Sequence, residues 1–167
     1  MTKRDRVELI RGLIVERPVV NPPHAIAISQ VTVLFYKLLG FDRAIRSQLP
    51  ITLADSEPLP DLVLAAGLLV DYGTRHPKPR EIQIVIEIAD TTIYEDRSSQ
   101  LQIYAESMLP EYWIVNIPEH HIEVYTQPAR KSANYRRRKD YSVEDAVPIR
   151  IDGVVLGSFL VRDILPR

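Results

Sequence analysis

The chain has 167 residues, of which 46% are hydrophobic and 26% charged, an ordinary balance for a folded protein that excludes bulk disorder. Its 21 Lys and Arg residues nearly balance its 22 Asp and Glu residues, so the formal net charge is −1, which excludes a generally basic nucleic-acid-binding protein. The absence of cysteine excludes disulfides, thiolate metal sites and thiol nucleophiles. From its length we predict one domain over residues 1–167.

Neither an export signal nor a membrane segment is visible in the sequence. The opening residues, MTKRDR, are not followed by a long apolar run. The longest apolar window, residues 62–70, is far shorter than the ~20 residues that a membrane helix needs. We therefore expect a cytoplasmic protein with no membrane partner.

The beginning of the chain predicts a hairpin followed by a helix. Two apolar runs flank Arg11-Gly12, which predicts a β-hairpin over residues 7–20. Apolar residues then recur at helical spacing, which predicts an amphipathic helix over residues 24–39 that ends at Gly40.

The rest of the chain predicts a sheet and a second helix. An apolar stripe from Leu101 to Met108 indicates a helix over residues 93–109, and a turn or short helix is expected around Asp163. A loop is expected over residues 67–80. The predicted strands span residues 44–53, 62–66, 81–89, 111–117, 122–126 and 135–143. This order indicates an α/β fold with a mixed central sheet flanked by helices and an N-terminal β-hairpin.

Glu87 stands within the most apolar predicted strand. Along residues 81–89 side chains alternate between faces, so four isoleucines share one face and Glu87 lies on the other, between Val85 and Ala89. A buried carboxylate needs a cation, a hydrogen-bond donor or a raised pKa. Glu87 is therefore a candidate metal ligand or acid–base group, and a solvent-facing glutamate is the alternative.

Asp61 and Gln100 are the next candidates. Asp61 follows Pro60 at the start of an apolar run, a position that is also typical of turns. Two carboxylates on neighbouring strands can converge on a hard cation such as Mg²⁺, which pairs Asp61 with Glu87. Gln100 stands four residues before Tyr104 at the edge of the second helix's apolar stripe. A glutamine that merely borders the core is the alternative.

These motifs, taken in order, resemble the Uma2 family, whose members have the PD-(D/E)XK restriction-endonuclease-like fold. The resemblance covers nearly the whole chain, and its most specific part is Glu111-Tyr112-Trp113-Ile114-Val115 after a helix with Tyr104-Ala105. The other matching segments are Glu8-Leu9-Ile10-Arg11-Gly12, His24-Ala25, Gln48-Leu49-Pro50-Ile51, Ser56-Glu57-Pro58-Leu59-Pro60-Asp61, Glu87, Asp96, Gln100 and Asp163-Ile164-Leu165-Pro166.

The resemblance implies metal-dependent hydrolysis of DNA phosphodiester bonds. It implies that Asp61 and Glu87 hold one Mg²⁺ or Mn²⁺ ion, with Glu8 as an auxiliary carboxylate. Such an ion lowers the pKa of a bound water and stabilises charge on the scissile phosphate. Nucleases of this fold often pair to cut two strands, so DNA and a second copy of the chain are the expected partners.

The sequence departs from the family pattern where a lysine is expected. The position two residues after Glu87 is Ala89, and the alternative position on the following helix is Gln100. A glutamine can orient a water molecule but brings no positive charge. The segment Ala89-Asp90-Thr91-Thr92 is altered as well. A second hypothesis is therefore a catalytically idle nuclease fold that binds nucleic acid or protein, and a third is a purely structural dimerising protein.

Five further residues belong to the prediction. We place His24, Gln48 and Tyr104, which stand in the matching segments, on the substrate side of the site; a solvated helix start is the alternative for His24. His120 and His121 follow a predicted turn. Because neighbouring strand residues face opposite sides, we expect two surface histidines there and no shared metal.

The densest basic patch is Tyr135-Arg136-Arg137-Arg138-Lys139, with Arg130 and Lys131 nearby. On a strand, Arg136 and Arg138 would share one face. A nuclease needs a basic surface to hold phosphates. A charged edge strand that blocks aggregation is the alternative.

Overall fold

The computed structural model describes residues 7–166. The predictions about an export signal and about a domain beginning at residue 1 concern residues that lie partly outside this range. The helices are α1 (Pro22–Leu39), α2 (Ile93–Glu95), α3 (Leu101–Glu106) and α4 (Val161–Ile164). The strands are β1 (Val7–Ile10), β2 (Leu13–Glu16), β3 (Ala44–Ser47), β4 (Leu62–Ala65), β5 (Ile82–Ala89), β6 (Glu111–Asn116), β7 (His121–Ala129), β8 (Asn134–Ser142), β9 (Ala146–Ile151) and β10 (Val154–Leu160).

A six-stranded mixed sheet forms the centre, in the order β3-β4-β5-β6-β7-β8. Strands β5 and β6 run parallel, and the other neighbours are antiparallel. The parallel pair requires a crossover, which carries α2 and α3. The mixed sheet with helices and an N-terminal hairpin confirms the predicted fold class.

Both faces of the sheet are covered, which explains the apolar sequence of β5. One face packs against α1, α4 and the β9–β10 hairpin, where Phe35 lies between Trp113 and Phe159 at ring distances of 6.2 and 5.1 Å. The other face packs against α3 and holds Tyr104 and Tyr112, which meet edge to face at 5.0 Å. Glu87 points to this second face and is buried, so the solvent-facing alternative is wrong.

The N-terminal hairpin is confirmed, although it ends at Glu16 rather than at residue 20, and it is attached next to the start of β4. Arg11 and Gly12 both have positive φ, 50° and 76°, as a two-residue turn of this twist requires. Leu9 and Glu57 exchange backbone hydrogen bonds of 2.7 and 3.4 Å. This contact brings Glu8 close to the segment that leads into Asp61.

The first helix begins two residues before the predicted start. The Asn21 side chain caps it by accepting the backbone N–H of His24 at 3.0 Å. Pro22 and Pro23 fit the first turn, where the backbone N–H has no helical partner. Gly40, with φ of 62°, ends the helix as predicted and donates to Tyr36 O at 2.9 Å.

The second helix is interrupted rather than continuous. Between α2 and α3, Asp96–Gln100 forms a π-helical turn, and the helix ends at Glu106, short of the predicted residue 109. Such wide turns are often found at functional sites. Here the wide turn carries both Asp96 and Gln100.

Three further parts of the chain differ from the prediction. The strand predicted over residues 44–53 ends at Ser47, because Gln48 has φ of 51° and Pro50 follows. The predicted loop over residues 67–80 contains the 3-10 turns Leu69–Tyr72 and Pro79–Glu81. The β9–β10 hairpin had not been predicted, although Asp152 and Gly153 form the same kind of positive-φ turn as the first hairpin.

Candidate active site

Asp61 and Glu87 lie side by side, and the carboxyl of each accepts a backbone N–H from the segment that carries the other. Glu87 Oε2 accepts the N–H of Asp61 at 3.1 Å, and Asp61 Oδ2 accepts the N–H of Ile88 at 2.9 Å. The antiparallel register of β4 and β5, with Leu62 opposite Ile86, creates this reciprocal pair. The side chains are almost enclosed, since Asp61 is 2% and Glu87 5% exposed.

The carboxyl of Glu87 is in an environment that favours its neutral form. Burial raises the pKa of Glu87 well above its usual value, and the nearby carboxylates of Asp61 and Asp96 raise it further. Arg17 and the hydroxyl of Tyr104 act in the opposite direction. The pair is therefore short of positive charge, which a proton or a cation can supply.

Asp96 brings a third buried carboxyl from the π-helical turn. Thr92 Oγ1 donates to Asp96 Oδ2 at 2.7 Å. Burial raises the pKa of Asp96 to about 7, even though the Thr92 hydrogen bond lowers it. Asp96 belongs to the set of residues that carries the family resemblance, but no role for it was predicted from the sequence.

Glu8 and Gln100 meet each other beside this group. Glu8 Oε2 accepts the N–H of Leu59 at 3.1 Å, and Gln100 Nε2 donates to Glu8 Oε1 at 3.3 Å. The other amide atom, Gln100 Oε1, is buried without a hydrogen-bond partner in the described part of the chain. The structure thus places Glu8 and Gln100 in the lining of the same cavity as Asp61 and Glu87.

Arg17 is a component of this site that was not predicted from the sequence. It follows β2, and its Nη2 atom lies 3.5 Å from Asp61 Oδ1 while its Nε atom lies 3.9 Å from Glu8 Oε2. No motif marks the position, because only the packing of the hairpin brings it to the carboxylates.

The three residues predicted on the substrate side differ in how they contact the Asp61–Glu87 pair. His24 Nε2 lies 2.9 Å from Asp61 Oδ2, without the alignment of a hydrogen bond, and the side chain is mostly buried rather than solvated. Gln48 Nε2 donates to Asp61 Oδ1 at 3.5 Å. Tyr104 lies fully buried behind Glu87 and donates to its Oε1 atom at 2.7 Å.

A cavity of about 290 Å³ opens onto these residues. Its walls come from the hairpin, the segment before α1, the Asp61–Glu87 pair and the π-helical turn. The wall includes the carboxyls of Glu8 and Asp96, whereas the side chains of Gln48 and Tyr104 lie outside it. The arrangement is an acidic cavity at the edge of a buried polar cluster.

The oxygen-rich lining fits a hard divalent cation. Mg²⁺ and Mn²⁺ prefer carboxylate and amide oxygens, which Asp61, Glu87 and Gln100 offer, and the Gln100 oxygen has no competing partner. Within residues 7–166, however, no three His, Asp or Glu side chains are arranged to hold one ion. The residues therefore suit a cation held by two carboxylates.

The basic patch is on an edge strand and is partly neutralised. Strand β8 ends the sheet, which agrees with the alternative of a charged edge. Arg138 binds Asp140 at 2.7 Å and lies 3.5 Å from the buried Glu123. One guanidinium of the patch thus has acidic partners within the protein.

The two adjacent histidines differ from each other. His120 is exposed in a turn with φ of 54°, as a surface histidine. His121 is largely buried, with Nε2 at 3.3 Å from Glu123 Oε1, so the prediction of two surface histidines was wrong for this residue. The cause is Glu123, a buried carboxylate that attracts polar neighbours.

None of the helices in residues 7–166 is long and apolar enough to cross a membrane.

Comparisons with known proteins identify the family. A family model described as "Putative restriction endonuclease", Uma2, matches residues 1–152. A solved structure from Anabaena variabilis, titled as a "putative nuclease belonging to DUF820", superposes with a TM-score of 0.68 and 14% identity, covering 95% of this chain and 88% of the other. At that identity the likeness shows the shared fold. No curated protein matches the chain. Because the family model covers most of the sequence, the chain belongs to the Uma2 family of restriction-endonuclease-like proteins.

Proposed function

We propose that this protein is a divalent-metal-dependent endonuclease, with Mg²⁺ or Mn²⁺ as cofactor, that hydrolyses phosphodiester bonds of DNA in a single domain. The observation that carries the proposal is the reciprocal pair of Asp61 and Glu87, two buried carboxyls on adjacent strands at the wall of a cavity. Membership of a family of restriction-endonuclease-like proteins supports the same activity.

In this proposal Asp61 and Glu87 hold the cation. When bound, such an ion makes a water molecule more acidic and stabilises negative charge on a phosphate. Burial, and then the neighbouring carboxylates, raise the pKa of Glu87, and Tyr104 fixes the carboxyl's orientation through its hydroxyl. The buried backbone hydrogen bonds hold the pair in place before any ligand arrives.

Glu8 and Gln100 have supporting roles in the proposed site. Glu8 is held by the Leu59 N–H and by Gln100, so it lines the cavity in a fixed orientation. Gln100 stands where the family resemblance implies a lysine, and its free Oε1 atom can accept a hydrogen bond from a water molecule. The side chains of Glu8 and Gln100 can orient a water molecule, but neither adds a positive charge.

A nucleic-acid-binding module without catalysis is the second candidate function. It is supported by the lack of a third acidic or histidine ligand arranged with Asp61 and Glu87 among residues 7–166. The apolar Ala89, fully buried, also supplies no charge. Binding that depends steeply on salt, without cleavage, is the behaviour expected of such a module.

The first experiment is cleavage of supercoiled plasmid and single-stranded DNA with Mg²⁺ or Mn²⁺. Wild type would be compared with Asp61→Asn, Glu87→Gln and the control Glu144→Gln, which changes an exposed glutamate. We expect cutting by wild type and the control and loss of at least about a hundredfold in the two site variants. If both site variants still cleaved DNA, Asp61 and Glu87 would not form the active site. If none of the proteins cleaved DNA, the result would favour the binding module.

Metal binding is measured separately by calorimetric titration of Mn²⁺ into wild type and Asp61→Asn. We expect binding by wild type that is weakened at least about tenfold in the variant. If wild type and Asp61→Asn bound Mn²⁺ with equal affinity, Asp61 would not be a ligand of the cation.

A homodimer in the cytoplasm completes the proposal, supported by the family resemblance. Sedimentation of the purified chain over a range of concentrations tests it, and a monomer at every concentration would contradict it.

A further inference from the structure

The acidic residues of the proposed site create negative charge, which repels a phosphodiester. Seven acidic side chains line the cavity, among them Glu8, Asp61, Glu87 and Asp96. A phosphodiester carries a negative charge, so it is repelled unless cations accompany it. Arg17 is the one Lys or Arg that lines this cavity in the described part of the chain.

The guanidinium of Arg17 is placed in the cavity but is loosely held. Its contacts with Asp61 and Glu8, at 3.5 and 3.9 Å, are longer than the about 2.8 Å of a charge-assisted hydrogen bond. A guanidinium has five N–H donors in a rigid fork. Since the side chain is also 16% exposed, these donors remain available to oxygens of a bound molecule.

Contacts of the hairpin hold the backbone from which the Arg17 side chain extends into the cavity. Strand β1 is bound to Glu57, and the turn is anchored by Arg11, which binds Glu106 at 2.9 Å. Pro18 follows Arg17 and restricts the backbone there. The long side chain can therefore move between neighbouring oxygens while its backbone stays in place.

We propose that Arg17 binds the phosphate of the nucleic acid at this site, in the role for which Ala89 and Gln100 provide no charge. The inference rests on the proposed function. The fork of a guanidinium matches two phosphate oxygens.

The test measures binding of a short fluorescein-labelled DNA duplex by anisotropy in Ca²⁺, over a series of salt concentrations. Arg17→Gln removes the charge, Arg17→Lys keeps it, and Arg162→Gln is the control, an exposed arginine paired with Glu144. We expect Arg17→Gln to weaken binding about tenfold and to reduce the salt slope by about 0.9, as loss of one phosphate contact does. Arg17→Lys should keep the slope, and the control should match wild type.

Cleavage of the same duplex in Mn²⁺ separates this inference from the proposed function. If wild type cuts and Arg17→Gln binds and cuts equally well, the Arg17 inference fails and the nuclease stands. If nothing cuts but Arg17→Gln still lowers affinity and slope, the inference holds and the nuclease fails. Tighter binding by Arg17→Gln would also overturn the inference, because Arg17 would then block the cavity. Thermal unfolding checks each variant, and Arg17→Met replaces Arg17→Gln if the latter does not fold.

Discussion

The hydroxyl of Tyr104 reaches Glu87 Oε1 at 2.7 Å from a fully buried ring on α3. The same ring packs edge to face on Tyr112 of the sheet. Glu87 Oε2 is meanwhile occupied by the backbone of Asp61. The aromatic layer between helix and sheet therefore fixes the orientation of the carboxyl at the cavity wall.

We expect Tyr104→Phe to lower the free energy of unfolding by about 1–3 kcal/mol, because a buried carboxyl oxygen loses its donor. The pKa of Glu87 should rise further, since the Tyr104 hydrogen bond lowers it. Urea unfolding and NMR titration of the glutamate carboxyls measure the two effects. Tyr94→Phe, which changes an exposed tyrosine, is the control. Unchanged stability in Tyr104→Phe would show that the hydroxyl contributes nothing to the site.

The buried acids should make the metal-free protein less stable as the pH rises. Folding raises the pKa of Asp96 from 3.8 to about 7, so the folded state keeps a proton that the unfolded chain has lost. This stabilisation is complete below pH 3.8 and is lost as the pH rises through about 7. We expect Asp96→Asn to reduce that decline by at least about 1 kcal/mol. Denaturant unfolding at several pH values, with the exposed Asp163→Asn as control, measures the decline; an identical decline in both variants would contradict the assignment.

A lysine at position 100 should strengthen catalysis. Gln100 contacts Glu8 and carries an unpaired oxygen, so Gln100→Lys places a cation beside the acidic cavity and gains an ion pair with Glu8. We expect an increase of about tenfold or more in the rate of DNA cleavage. The matched variant Gln102→Lys adds the same charge on the exposed side of α3. If both variants increased the cleavage rate over wild type by the same factor, the added charge rather than its position would be responsible for the increase.

The buried Glu123 should depend on Arg97 for its stability. Arg97 Nε donates to both carboxylate oxygens, at 3.0 and 3.2 Å, and Tyr125 donates at 2.6 Å. Although burial raises the pKa of Glu123, these hydrogen bonds and Arg138 hold it below its usual value. We expect Arg97→Met to cost about 2–4 kcal/mol in unfolding free energy.

Arg162→Met is the comparison for that experiment, because it breaks an exposed ion pair with Glu144 and should cost less than about 1 kcal/mol. Equal losses in the two variants, measured by urea unfolding, would mean that burial gives Glu123 no special dependence on Arg97.

Much of the fold was predictable because local pattern determines local structure. The first hairpin follows from Arg11-Gly12, and α1 follows from its apolar spacing and Gly40. The apolar run over residues 81–89 predicted the strand, and Glu87 was identified as a candidate because a carboxylate within such a run is costly without a partner. The π-helical turn was missed because it does not interrupt the apolar pattern of the helix. The β9–β10 hairpin was missed although Asp152-Gly153, between two apolar runs, is a sequence signal for such a turn.

The sequence by itself determined the family, the order of the elements up to β8 and the acidic candidates Asp61 and Glu87, since these depend on motif order and strand periodicity. Only the tertiary structure decided that Gln100 meets Glu8, 92 residues away, and that Arg17 and His24 meet Asp61. Such contacts arise where the hairpin, α1 and the π-helical turn pack around one cavity. Side chains that meet only through packing leave no periodic signal along the chain, so their chemistry appears when the fold brings them together.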